Sequence, residues 1–310
     1  MKKYEMLPTE ENIIETLYND PINRNKDIVY FYNILQAQES ASAIAIDGRW
    51  GSGKTFFVRQ TKMVINALNP SSTIDEETKA KATVRLLFSK NDEENENYSI
   101  AVYYDAWEND NDTEPVLSLI YEITKQLSVD FSLSDISVVK TAGAIIEAIS
   151  GHNINGIKDA LTSEDPFKKF KEEKDVEQKI KDFFASILVE RGNRLIIFID
   201  ELDRCKPTFA VHLLEQIKHY IFDDRITFVF SINLEQLQHT IKQYYGADFD
   251  SCRYLDRFFD LRISMPPANM EKFYSEIGLE SRYYVDIVTK RIINMYNFEL
   301  REITRFYSQI

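Results

Sequence analysis

The stretch "IAIDGRWGSGKTFFV", residues 44–58, passes from an apolar run into a loop of three glycines, a lysine and a threonine. Gly48, four residues, then Gly53-Lys54-Thr55 satisfies the phosphate-loop pattern. Its flanks predict a strand over 43–46 and a helix over 55–67, the context the pattern needs. Glycines at 48, 51 and 53 let successive backbone N–H groups approach phosphate oxygens, and the helix that follows turns its partly positive N-terminus toward them. Lys54 is expected to reach the β and γ phosphates as a mobile cation, and the Thr55 hydroxyl to ligate the accompanying magnesium ion. The expected nucleotide-contact set is Gly48, Arg49, Trp50, Gly51, Ser52, Gly53, Lys54, Thr55 and Phe56.

Outward from the loop, strand-like and helix-like segments alternate. Ile28, Tyr32 and Leu35 repeat at helical spacing, and residues 69–80 and 90–97 are polar and acidic, read as loops around a short strand over 83–88. An apolar strand over 100–104 ends in Asp105-Ala106-Trp107 and runs into an amphipathic helix, "EPVLSLIYEITKQL". The charged stretch 165–192 carries Phe170, Val176, Ile180, Phe183, Phe184 and Leu188 at helical spacing. Residues 195–199 are apolar without a break, as in a strand covered on both faces, and a second such strand spans 226–233. This alternation, with polar groups at strand C-termini, predicts an open α/β sheet with the binding crevice beyond those ends.

Asp200 and Glu201 stand where the strand 195–199 ends. Asp200 is expected in the magnesium shell, and Glu201 is expected to polarise a water for in-line attack on the γ phosphate. Neighbours on an extended strand point to opposite sides, which would separate the two roles. Asp203 and Arg204 either brace these acids or reach a phosphate. Asn233 either holds the attacking water or caps the helix that follows it. Arg253 and Arg257, and Arg301 and Arg305, are spaced four apart, each pair on one helix face. Arg257 and Arg305 are candidates for a finger that brings positive charge to the γ phosphate, against the plainer reading of salt bridges to an acidic chain.

Composition narrows the function classes. The 310 residues are enough for one large or two modest domains. Fifty acids against 37 bases give a net charge of −13, which argues against a broad grip on nucleic acid or an anionic membrane and leaves room only for a local basic groove. Cys205 and Cys252 are the two cysteines, without paired spacing, as expected in a reducing compartment. The start shows no secretory signal, and in the apolar stretch 136–150 Lys140 and Glu147 interrupt any membrane span, so a cytoplasmic location is expected.

The loop in the form G-x-W-G-S-G-K-T, "YDAW" at 104–107, "IDELDRC" at 199–205 and "LREITRF" at 300–306 occur in one chain in this order. Together, over most of residues 20–310, they resemble the KAP family of P-loop NTPases. The resemblance implies a three-layer α/β/α sandwich of the catalytic-glutamate branch, with sheet order 5-1-4-3-2 and the loop strand beside the acid-bearing strand. It also implies ATP and Mg2+ as ligands, and the guanine-reading N-K-x-D pattern is missing. Family members are ATPases, largely bacterial, several of them tied to phage exclusion and defence. Many carry transmembrane helices between the loop and the acid box, where this chain has no span. The expected organisation is an NTPase core over 1–270, with a helical, charged insert near 130–190, and the start of a helical lid over 271–310, with more chain expected beyond. The leading expectation is a magnesium-dependent ATPase acting as a switch or assembly factor, with ATP-promoted self-association and an effector or defence partner. The alternative is a nucleotide-held scaffold with little hydrolysis. Phosphoryl transfer to a small acceptor is a third reading, for which no acceptor site is evident.

Overall fold

The computed structural model describes residues 6–84, 98–131, 142, 145, 168–220, 223–280 and 282–310. Helices α1 (Glu10–Asn19) and α2 (Asn25–Gln36) precede strand β1 (Ser42–Asp47), which is followed by α3 (Lys54–Leu68) and α4 (Glu76–Thr83). Strand β2 (Ser99–Asp105) leads to α5 (Pro115–Asp130) and α6 (Lys168–Arg191). Strand β3 (Arg194–Asp200) leads through a 3-10 turn, Leu202–Arg204, to α7 (Pro207–Tyr220). Strand β4 (Ile226–Ile232) precedes α8 (Leu234–Tyr245) and α9 (Ser251–Leu255). After β5 (Leu261–Ser264) come α10 (Met270–Glu276), α11 (Tyr284–Tyr296) and α12 (Leu300–Tyr307).

The strands form one parallel sheet in the order β2-β3-β4-β1-β5, which from the β5 edge reads 5-1-4-3-2. Parallel neighbours need crossover helices, so helices cover both faces. The two-residue period of β3 shows how: Leu195, Ile197 and Ile199 enter one core with side chains of α5 to α9, whereas Ile196 and Phe198 enter a second with side chains of α1 to α4. A strand buried on both sides can carry no unpaired charge until it emerges, which fits the unbroken apolar run of 195–199. One expectation needs correcting. The loop strand β1 is not beside the acid-bearing strand β3, because β4 lies between and pairs with both. One interposed strand separates their ends by about 10 Å. Both still finish on the same edge, because all the strands run in one direction.

Strand β2 pairs only with β3 among the described residues, and side-chain amides satisfy its outer edge. Asn66 of α3 accepts from the Ala101 N–H at 2.8 Å and donates to its carbonyl at 2.9 Å. Asn69 donates to the Ser99 carbonyl at 3.0 Å, and Gln126 of α5 accepts from the Tyr103 N–H at 3.0 Å and donates to its carbonyl. An edge closed this way offers no free ladder to another chain.

The polar stretch before β2 is not all loop, since 76–83 form α4, whose N-terminus Asp75 caps through the Thr78 N–H. Thr83 ends that helix instead of starting the expected strand, and 85–88 lie outside the described residues. Of the stretch 136–150, Ala142 and Ile145 are described; both are helical and buried. No helix among the described residues is long and apolar enough to cross a membrane. Residues from α10 to α12 form a small third cluster, with Phe273, Tyr274, Leu279, Ile293 and Ile303 buried.

Asn66→Ala leaves the Ala101 N–H and C=O buried without partners, a loss of about 2–4 kcal/mol. Urea denaturation should register it as a lowered midpoint with an unchanged slope, and an unchanged midpoint would exclude this role for Asn66.

Candidate functional site

At the C-terminal edge of β1 the backbone leaves the sheet as a loop held from several sides. The Gly48 N–H donates to the Ile232 carbonyl at 3.1 Å, and the Asp47 carboxylate accepts from the Leu234 N–H at 2.9 Å, so β4 and α8 fix where the loop begins. Gly51 and Gly53 have φ of +86° and +90°, which favour glycine. A Cβ on Gly51 would come within 3.1 Å of the Arg301 Cβ, and one on Gly53 within 2.9 Å of the Arg24 guanidinium. These two glycines are therefore required by the chain's own packing as well as by any anion. Lys54 opens α3 with its ammonium folded back on the Gly48 and Arg49 carbonyls, at 2.5 and 3.1 Å. Burial lowers its pKa, and the carboxylates of Asp203, Asp200 and Glu201 oppose that shift. The Ser52 hydroxyl is buried without a hydrogen-bond partner, an unmet polar group that phosphate would satisfy.

The acids arrive from β2, β3 and the turn after β3. Asp200 sits opposite Asp105 on one side and Ser231 on the other. It is 1% exposed and accepts from the Tyr103 hydroxyl at 3.0 Å. The strand ends there. Glu201 has φ of +61°, in the left-handed region, so it does not continue an extended strand, and the alternation expected to part the two acids is not what parts them. A sharp turn does so. The Glu201 N–H donates to the Asp200 carboxylate at 3.0 Å and to the Ser231 carbonyl at 3.3 Å. This conformation costs a non-glycine residue about 1 kcal/mol or more, and strain held at an acid cluster is a pointer to function. Burial, reinforced by Asp200 and opposed by Arg204, pushes the Glu201 carboxyl up to about 7. Burial also raises Asp203 and Asp105.

Asp203 faces the loop: the Trp50 indole N–H donates to its carboxylate at 2.6 Å, and the Asn233 N–H also favours its charged form. The Arg204 Nε makes an ion pair with the Glu201 carboxylate, in contact but without hydrogen-bond geometry. Its guanidinium lies 5.5 Å from the ring centres of both Trp50 and Trp107. The side chain of Asn233 caps α8 by accepting from the Gln236 N–H at 3.3 Å. Thr55 lies in the first turn of α3 and is half-buried, with Phe56 beside it.

The two arginine candidates separate. Arg257 is not on a helix face with Arg253, because α9 ends at Leu255. It also lies at the wrong edge: three residues later Asp260 bonds Ala43 at the start of β1, the end opposite the loop. That position speaks against a cis role at this site. Arg305 is exposed on α12, whose first turn abuts the loop where the Arg301 N–H donates to the Gly51 carbonyl at 3.3 Å.

Sequence reading missed Arg24. Its guanidinium is 4% exposed and donates to the carbonyls of Ser52, at 2.8 Å, and Pro266, at 2.7 Å, tying the loop to the segment that follows β5. Burial lowers its pKa to about 10. No motif surrounds Arg24, so nothing in the sequence flags it. Missed too was an open cavity of about 640 Å3 between Arg49 of the loop and Tyr274, Asn294, Asn297, Phe298 and Glu299 of the C-terminal segment.

The donor set suits a triphosphate with magnesium. Lys54 and the unpartnered Ser52 hydroxyl offer donors to anionic oxygens, and Asp105, Asp200, Glu201 and Asp203 crowd an edge near Lys54 and Arg204. Among the described residues no group of three or more His, Cys, Asp or Glu is arranged to hold a metal by itself.

A comparison with curated proteins returned no match. The KAP family P-loop domain matches residues 24–309, from the arginine that anchors the loop to the helix that abuts it. The match makes the loop and its acids parts of a nucleotide-binding P-loop domain, and this chain belongs to the KAP family of P-loop NTPases.

Proposed function

We propose that the protein binds ATP with Mg2+ and hydrolyses it, using nucleotide state to control its own assembly or a partner. The observation that carries this reading is the convergence of Lys54 with Asp200, Glu201 and Asp203 at one sheet edge beside the loop. In this scheme Lys54 exchanges the Gly48 and Arg49 carbonyls for β and γ phosphate oxygens, and loop N–H groups take the remainder. Thr55 and Asp200 are the residues suited to hold magnesium, which when bound neutralises charge developing on the phosphates. Glu201 takes the proton of the attacking water as its oxygen bonds to the γ phosphorus and the bond to the β–γ bridging oxygen breaks, leaving ADP and phosphate. A carboxyl pushed up to about 7 is suited to accept that proton near neutral pH. The cavity beside Arg49 is where we propose the base lies, with the amides of Asn294 and Asn297 available to an adenine edge.

A second reading is nucleotide held with little hydrolysis. One observation favours it: one oxygen of the Glu201 carboxylate is already paired with Arg204. Bacterial defence against phage is the setting we propose, on the family resemblance alone. Stimulation of turnover by lysate of infected, but not uninfected, cells would test it.

Lys54→Ala should raise the Kd for ATP on the order of a hundredfold, through lost charge-assisted bonds. Calorimetry that finds unchanged affinity would refute the role given to Lys54. Glu201→Gln should keep ATP affinity while turnover falls by about two orders of magnitude or more. Equal near-zero rates in wild type and variant would instead favour the scaffold reading. Light scattering should find a higher mass for the ATP-loaded Glu201→Gln protein than for the apo form, and an unchanged mass would exclude ATP-promoted self-association. Arg24→Ala removes the cation from two buried carbonyls and should destabilise the fold by about 1–3 kcal/mol and weaken ATP binding about tenfold. Denaturation and calorimetry on the same sample would check both.

A further inference from the structure

Trp50, Trp107 and Arg204 come from three separate motifs, and the phosphate chemistry above uses none of them. The structure brings them together. The Arg204 guanidinium is flanked by the two indoles at 5.5 Å each, while its Nε meets the Glu201 carboxylate. The indoles are 46% and 53% exposed, yet the Arg204 side chain they flank is 22% exposed. The clamp is tied to the loop a second time, because the Trp50 indole N–H holds Asp203, the neighbour of Arg204 in the 3-10 turn. Trp50 itself stands between Arg49 and Gly51, inside the segment that wraps phosphate. A loop that changes shape around phosphates therefore moves one wall of the clamp.

We propose that Arg204 is the positioning residue for Glu201, and that its clamp between Trp50 and Trp107 makes the place of that carboxylate depend on the shape of the phosphate loop. A planar guanidinium suits this task. It stacks by its faces on aromatic rings and keeps its edge for a carboxylate, which an ammonium cannot do. Glu201 has a second restraint in its own backbone, where the left-handed turn leaves the side chain to be aimed by whatever it meets. Arg204 is what it meets. The proposal rests on the hydrolysis reading and adds to it a residue that acts through Glu201 without touching substrate.

The chain contains two tryptophans, both in the clamp, so emission excited at the red edge of absorption, where its 17 tyrosines scarcely absorb, reports these two indoles. Turnover, ATP affinity and emission should be measured on the full chain with Mg2+ and ATP. In Arg204→Gln, kcat should fall about tenfold or more while KM and Kd change less than about threefold, the pattern of a group that acts in the chemical step. Arg204→Lys should recover part of kcat by restoring the cation. Emission of apo Arg204→Gln should differ from wild type, and its response to ATP should shrink by about half or more, in line with lost stacking. Unchanged kcat, or kcat falling only in step with affinity, would overturn the proposal. Emission and ATP response identical to wild type would overturn it too. Should Arg204→Gln fail to fold, Trp107→Ala removes one wall at the surface and must lower kcat at unaltered affinity; unaltered kcat there also overturns the proposal. If the wild type itself shows no turnover, the hydrolysis reading falls, while the emission arm still judges the clamp.

Discussion

The site depends on a single constraint, that all the strands of the sheet run the same way. Parallel pairing puts Asp47 opposite Ile232, and Asp200 opposite both Ser231 and Asp105, so the strands emerge from the core together at one edge. Inside the sheet both faces are packed, and a charge there would be desolvated without a partner. Charged groups are therefore kept to the ends of β1 to β4, whereas neutral hydroxyls such as Thr227 and Tyr104 are tolerated inside. The consequence is a line of carboxylates along one edge, facing the loop that leaves β1.

Crowding those carboxylates has an electrostatic price. Burial raises Asp105, Asp203 and Glu201, and Lys54, itself pulled down by burial, is held in its charged form by the same acids. Neither set is at ease alone. The surplus is negative on the β3 side, which suits a divalent cation, and the Lys54 ammonium and the unpartnered Ser52 hydroxyl lie on the loop side, which suits phosphate. A net charge of −13 gives the surface no general attraction for a polyanion, so a small anion must be taken by local geometry. Arg204 serves the same balance. It neutralises Glu201 across an ion pair, and the two indoles shelter it from water.

The C-terminal helices matter because they touch the loop directly. Arg301 binds the Gly51 carbonyl through its N–H, its Cβ lies 3.1 Å from where a Cβ on Gly51 would stand, and Glu299 is nearby with its pKa raised by burial and lowered in part by Arg49. From the other side Arg24 joins Ser52 to Pro266. The loop is thus gripped between the segment before the sheet and the helices after it. A change in its shape would be felt at both.

Much of this could be read from local residues, because local chemistry decides it. A helix beginning beside Gly53, a buried strand ending at Asp200, and glycine at the positive-φ positions 51 and 53 follow from short-range rules, and spacing alone marked the loop. Asn66 and Arg24 were invisible, since each works on backbone groups 28 or more residues away and carries no pattern of its own. The sheet order 5-1-4-3-2 agrees with expectation, and only the placing of the loop strand directly beside the acid-bearing strand was misjudged, since β4 separates β1 from β3. Likewise Arg253 and Arg257 have helical spacing, but their helix is too short to honour it and lies at the far edge. The residue string alone determined which chemistry is present, because donors, acids and glycines are properties of side chains. Folding alone decided which of those groups meet, because the Trp50, Trp107, Arg204 and Glu201 cluster spans more than 150 residues and exists only where the sheet's C-terminal edge gathers them.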